Sequence, residues 1–309
     1  MYFPYLRGRQ YELLALKELV QKGRLNDRII PVVEPVKISP TLKSTLESYN
    51  KEKKTIALVL NPDVVDFDAE GTNHLFGFLT SNIIPAVLVN KKFKTTIDEI
   101  VKFGFSKEQV IVVFTTEENT LLFNDCYKDG TPLFCMGPDK RFFRKMDIEK
   151  KVLFDDHFIK QSKNSDYLKK DDELFTEDHL NYYDDGYCGF GDYSIIGKEY
   201  DESGFAPRAV AIHVVYFDES NILRVHHFVS DSNYGIEDVA GKFYEAIQKL
   251  ERFLPLQESQ NSTHALSILL SYAKNGYYPG LPSLKKLSIM HHIELLNNYL
   301  VDLNENVLL

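Results

Sequence analysis

Four short apolar runs near the N-terminus each end on a polar side chain. Residues 2–7 end on Arg7, 29–34 on Glu34, 55–61 on Asn61 and 83–90 on Asn90, and Arg9 follows two positions after Arg7. An arginine–glutamate pair can hold a phosphate or polarise a substrate, and the two amides add neutral donors and acceptors. These five residues are the candidate ligand-binding set. They also have a structural reading: Arg7 and Glu34, on adjacent strands, form an ion pair that closes the sheet, and the other polar ends solvate its mouth. The spacing leaves both readings open.

A second set lies later in the chain: Asp155, Asp156, His157, Asp192, His213, His227 and Asp231. A divalent cation needs two or more carboxylates, and imidazoles favour Zn²⁺ or Mn²⁺. Asp155, Asp156 and Asp192 are the catalytic candidates; His157, His213, His227 and Asp231 are the metal candidates. Asp155 directly follows the apolar run 152–154, as a ligand at a strand end would. His213 and His227 flank a turn at similar distances and face each other if the two runs pair. No HExxH or CxxC signature is present, so hydrogen-bonded structural histidines and solvated acids outweigh the metal reading.

A third set, Asp192, Tyr193, Glu199, Asp201 and Glu202 followed by Ser203 and Gly204, offers a general base or a cation ligand, or simply a polar turn. Nucleophilic catalysis is weaker. No serine lies in a GxSxG elbow, and Cys126, Cys135 and Cys188 have no adjacent histidine. The acidic run 171–178 reads as a solvated face rather than a nucleic-acid mimic. His291 and His292, on a C-terminal amphipathic stretch, read as a structural pair.

The elements that position these residues follow from hydrophobic periodicity. Runs at 2–7, 29–34, 55–61, 83–90 and 110–116 read as strands. Helix-like stretches at 10–22, after Ser39-Pro40, at 68–80 and at 95–103 follow the first four. Continuous apolar strands imply cover on both faces, hence a parallel sheet. Setting Arg7, Glu34, Asn61 and Asn90 inward also turns Tyr5 and Phe3, Val32 and Ile30, Val59 and Ala57, Leu88 and Ala86 inward. That mixture of large and small side chains, with a polar residue at each C-terminal end, suits a (β/α)8 barrel. No glycine-rich phosphate loop follows any strand, as an open dinucleotide-binding sheet would require.

Beyond residue 120 the pattern loosens. Runs at 131–136 and 151–154 are the candidates for strands six and seven. Residues 160–190 read as an acidic lid or insertion. Runs at 208–217 and 222–230 form a hairpin around the turn 218–221, and 239–253 is an amphipathic helix. Residues 262–309 read as a C-terminal helical extension, with Leu287, Met290, Ile293, Leu296 and Leu300 as its apolar stripe. The whole chain is expected to be one barrel-like domain, irregular in its second half.

Composition narrows the function classes. The formal charge of −9 opposes non-specific binding of a polyanion by the whole surface. That charge is local: residues 155–202 hold 14 acids and 5 bases, whereas residues 1–60 hold 11 bases and 6 acids. Three cysteines without a close pair give no disulfide framework, which fits a reducing cytoplasm. The opening residues lack the pattern of a signal peptide, and no apolar run approaches the ~18–20 residues of a membrane span.

Four segments carry a family resemblance: MYFPYLRGRQYELLALKEL (1–19), RIIPVVEPVK (28–37), GDYSIIGKEYDESGFAPRAVAIHVVYF (191–217) and VHHFVSDSN (225–233). They resemble a bacterial family that shares the MYFPYLRG opening and, more distantly, the beta-protein family of T-even-like phages. The resemblance implies a barrel-type β/α domain and transfers no catalytic motif. It also implies a genetic neighbour, a small protein similar to nucleases with a PD-(D/E)XK core, and hence a two-component bacterial system of phage defence.

Two functions follow as expectations. The first is a non-catalytic or regulatory barrel that works with a nuclease-like partner protein, touches nucleic acid only indirectly and holds a ligand at its mouth. The second is a metal-dependent hydrolase or phosphodiesterase at the barrel mouth, with a divalent metal as cofactor and Asp155, Asp156, His157, Asp192, His213 and His227 as its machinery. Metal content of the purified protein separates the two.

Overall fold

The computed structural model describes residues 1–116, 120–144, 146, 148–201 and 208–307. The expected β/α alternation is present from the first residues. Strand β1 (Tyr2–Leu6) leads into α1 (Gln10–Gln21), whose buried side chains Leu13, Ala15, Leu16, Leu19 and Val20 recur at helical spacing. Strand β2 (Val32–Val33) precedes α2 (Pro40–Lys51), where Ser39 Oγ accepts the Leu42 N–H at 3.1 Å and Pro40 opens the first turn. Then come β3 (Ile56–Val59), α3 (Ala69–Phe76), β4 (Ile83–Leu88), α4 (Phe93–Phe103), β5 (Ile111–Val113), α5 (Thr120–Cys126), β6 (Phe134–Gly137), α6 (Lys140–Phe143) and β7 (Lys151–Asp155).

The next strand in the chain, β8 (Asp172–Thr176), does not join this sheet. After α7 (Asp178–Asn181), β9 (Gly189–Asp192) does. Strands β1 to β7 and β9 form a closed, all-parallel barrel in which β9 pairs with both β7 and β1. The protein therefore has a (β/α)8-barrel-like fold. Its interior is aromatic. Phe3 meets Phe134 edge-on at 5.0 Å, and Tyr5 packs 5.5 Å from Phe154.

Barrel closure depends on two glycines. A Cβ on Gly189 would stand 2.8 Å from the Met1 carbonyl oxygen, and one on Gly191 only 2.5 Å from that of Phe3. Any larger residue would push β9 off β1. Glycine also weakens a strand signal, which is why the eighth strand is hidden in the sequence.

The expected single domain is a correction. The chain forms two compact units, one of Met1–Asp155 with Asp178–Tyr193, the other of Asp156–Glu177 with Ser194–Leu309. The segment expected as an acidic lid or insertion, 160–190, is shared between them. Residues up to 177 give the second unit a 3-10 turn, Asn164–Lys169, and β8; the rest give the barrel α7 and β9.

The second unit is built on an antiparallel sheet in the order β10 (Ala211–Phe217), β11 (Leu223–Val229), β8. The hairpin turns at Asp218, whose N–H bonds the Ile222 carbonyl and whose side chain accepts from the N–H groups of Ser220 and Ile222. Helices α8 (Val239–Arg252), α9 (His264–Asn275) and α10 (Leu281–Val307) complete it. The expected stripe on α10, Leu287 to Leu300, is buried, but so are Ile289, His291, His292, Glu294 and Leu295. This helix packs on β10 and is a core element rather than an extension.

Candidate functional site

At the C-terminal end of the barrel strands, Glu34 follows β2 and is fully buried. Its Oε2 accepts the Tyr5 hydroxyl at 2.8 Å and the Arg7 guanidinium. Its Oε1 accepts the backbone N–H of Asp63 at 2.7 Å and of Val64 at 3.2 Å. Four donors on two oxygens fill the carboxylate's capacity. The guanidinium also lies 5.3 Å from the ring centres of Tyr5 and Tyr193, within cation–π range. Gly8, at φ +64°, brings the chain so close to β2 that a Cβ there would stand 3.1 Å from the Glu34 carbonyl oxygen.

The two amides extend this network. Asn61 replaces a strand residue: its Nδ2 donates to the Leu88 carbonyl and its Oδ1 accepts the Leu88 N–H, both at 2.8 Å. Asn61 Nδ2 also donates to Asn90 Oδ1 at 2.9 Å, and Asn90 Nδ2 donates to Asp63 Oδ1 at 2.7 Å. Arg9 has a different task. It starts α1, and its backbone N–H donates to Glu12 Oε2 at 3.4 Å. The structure thus brings Arg7, Glu34, Asn61 and Asn90 together on one rim, where they clamp strand ends to one another.

The second set is divided between the two units. Asp155 and Asp192 belong to the barrel unit, where they are register partners on β7 and β9. Asp155 is exposed, while Asp192 is buried with its Oδ1 accepting the Tyr2 hydroxyl at 3.0 Å. Asp156, His157, His213, His227 and Asp231 belong to the other unit. Asp156 caps turns, accepting from Phe158 N and Lys198 N at 3.2 and 2.8 Å. The His157 ring stands edge-on to Phe175 at 5.7 Å, and Asp231 pairs with Lys249 at 2.7 Å on the surface. Among the described residues, no three His, Cys, Asp or Glu side chains come together as metal ligands. Of the third set, the Tyr193 ring packs tilted against Phe154 at 4.8 Å, Glu199 and Asp201 are exposed, and Glu202, Ser203 and Gly204 lie outside the described residues.

His213 and His227 do meet. They are register partners on β10 and β11, with Nδ1 atoms 2.7 Å apart. His227 Nε2 lies 3.2 Å from Glu173 Oε1, and Lys170 Nζ is 3.0 Å from Glu173 Oε2. A carboxylate at Nε2 assigns the hydrogen to that nitrogen, so neutral His227 accepts at Nδ1 and His213 donates from its own Nδ1. The chain Lys170–Glu173–His227–His213 therefore runs across the sheet, with the Tyr167 ring 4.4 and 4.6 Å from the two imidazoles. Burial pushes both histidines below the usual range. The neighbouring His227 adds to this at His213, whereas Glu173 works against it at His227.

Glu173 and its neighbour Asp172 correct the reading of 171–178 as a solvated face. Asp172 accepts from Tyr216 Oη at 2.7 Å, from the Arg224 guanidinium and from the His226 ring at 3.1 Å. Burial would raise its carboxyl, but these donors outweigh that and bring it to about 2. Self-repulsion in the run is offset by partners on two other strands, β10 and β11, which local composition does not reveal. Tyr5 was within reach of sequence reasoning, being two residues from Arg7 on the same face. Asp63, Tyr167 and Glu173 carried no such signal.

The pair at 291–292 is structural, as its place on an amphipathic helix suggests. His291 Nε2 donates to the Val215 carbonyl at 2.7 Å and Nδ1 accepts from Thr263 Oγ1 at 2.6 Å. Burial holds the His291 imidazole down at about 4.

No family model, curated protein or solved structure matches the chain. Among the described residues, no helix is long and apolar enough to cross a membrane. What can be assigned is the class, a (β/α)8-barrel-like unit with a second α+β unit.

Proposed function

We propose that the protein is a non-catalytic, regulatory component that acts through a protein partner. One observation carries this reading. Where barrel enzymes keep a reactive carboxylate, at the C-terminal rim, Glu34 has all its lone pairs committed to Tyr5, Arg7 and two backbone amides. A group so committed frames a barrel and has no capacity left for a substrate. The partner comes from the family resemblance: a nuclease-like protein of the PD-(D/E)XK kind, in a two-component bacterial system of phage defence. The chain's charge of −9 agrees with indirect contact to nucleic acid through that partner.

The test has two arms. Co-expression with the nuclease-like neighbour should yield a complex that survives size-exclusion chromatography. The chain alone, incubated with DNA and RNA in Mg²⁺ and in Mn²⁺, should leave both intact. Robust cleavage by the chain alone, lost in Asp155→Ala or Asp192→Ala, would overturn this function and establish the metal-dependent hydrolase.

A further inference from the structure

We propose that the second unit binds a small, uncharged molecule with an apolar body and a hydroxyl, in a cavity beside β10 where that hydroxyl donates to His213 Nε2. This site does not rest on the partner reading, and either can fail alone. The cavity measures about 280 Å³, and its lining includes His213, the Phe158 and Tyr167 rings, Ile195 and Leu284. Apolar walls around a few polar atoms are the usual form of a small-molecule pocket.

The strands behind His213 decide what it offers. The Glu173 carboxylate holds the His227 hydrogen on Nε2. His227 Nδ1 is then a lone pair, and it takes the Nδ1 hydrogen of His213 at 2.7 Å. The tautomer left to His213 carries its second lone pair on Nε2. That nitrogen makes no hydrogen bond among the described residues. Phe158 stands edge-on to the ring at 5.1 Å and Tyr167 lies tilted against it at 4.6 Å, which holds the imidazole in place. An acceptor fixed in a half-buried side chain and left unpaired is costly. The cavity therefore rewards an occupant that brings a hydrogen to Nε2. Tyr167 supplies the opposite group. Its Oη accepts the Gln161 N–H at 3.0 Å, and its own hydrogen has no acceptor among the described residues. A hydroxyl both donates and accepts, so it suits a cavity that offers both kinds of partner. An ammonium only donates and would have to shed its hydration against apolar walls.

The probes are para-cresol, its methyl ether, which accepts but cannot donate, and para-methylbenzylamine, a cation at neutral pH. Each is titrated into the full chain while the histidine ring nitrogens are followed by NMR. Before any addition, the spectra should show His213 protonated at Nδ1 and bare at Nε2. Saturable binding of para-cresol should then shift the His213 Nε2 resonance. It should be at least roughly tenfold tighter than binding of the methyl ether, and the amine should bind no tighter than the ether. His213→Phe keeps a ring against Phe158 and Tyr167 and should erase the preference for the phenol over the ether. The spectra and affinities of the unaltered chain decide the matter even where that variant fails to fold. Overturning results are a hydrogen on His213 Nε2 in the free protein, no saturable binding of para-cresol, equal affinity for its methyl ether, tighter binding of the amine, or a preference that survives in folded His213→Phe.

Discussion

The barrel rim and the histidine strands of the second unit use the same kinds of side chain to different ends. At the rim, Arg7, Glu34, Asn61 and Asn90 are saturated by one another and by backbone amides. On the sheet, a comparable chain of ionisable groups runs from Lys170 to His213 and stops one nitrogen short. The difference separates frame from site. A buried polar group whose partners all lie within its own network holds strands in place, whereas one left open beside a cavity can answer to a ligand.

The largest test of this contrast is Glu34→Ala. It leaves the Arg7 charge buried without its partner and strips the acceptor from Tyr5, Asp63 and Val64, so it should cost about 3–5 kcal/mol in urea denaturation. A loss below about 1 kcal/mol would show that the rim is not a frame. A somewhat smaller effect comes from pH. His291 is buried neutral and titrates at about 4, below its unfolded value of about 6.5. The unfolded chain therefore takes up its proton first. The contribution is intact above about pH 6.5, is lost between there and about pH 4, and approaches about 3 kcal/mol. His213 and His227 act in the same direction. Denaturation followed by circular dichroism across that range should show the slope, and His291→Gln should flatten it. An unchanged slope would mean that His291 is not the neutral pillar described. The smallest effect is at the surface: Asp231→Ala breaks only an exposed pair with Lys249 and should cost no more than about 0.5 kcal/mol in the same assay. A larger loss would blur the line between buried network and solvated charge.

Much of the barrel was legible along the chain. The runs ending at Arg7, Glu34, Asn61 and Asn90 announced parallel strands sharing a rim, and 208–230 announced a hairpin that sets His213 opposite His227. These are local patterns, in which burial imposes a periodicity and turn residues punctuate it. The eighth strand escaped because Gly189 and Gly191 erase the very signal that their close approach to β1 requires. Strand β8 escaped because Asp172 and Glu173 look solvated until β11 supplies their partners.

By itself the sequence determined the β/α alternation, the rim, the hairpin and the apolar stripe of α10, since each follows from spacing along the chain. Tertiary structure alone decided that Glu34 is saturated, that Asp155 and Asp192 lie in a different unit from His213 and His227, and that the acidic run enters a sheet. Those outcomes depend on which groups meet across 27 to 54 positions of chain. Pairing energies at such separations are set by burial and geometry, which no local pattern encodes.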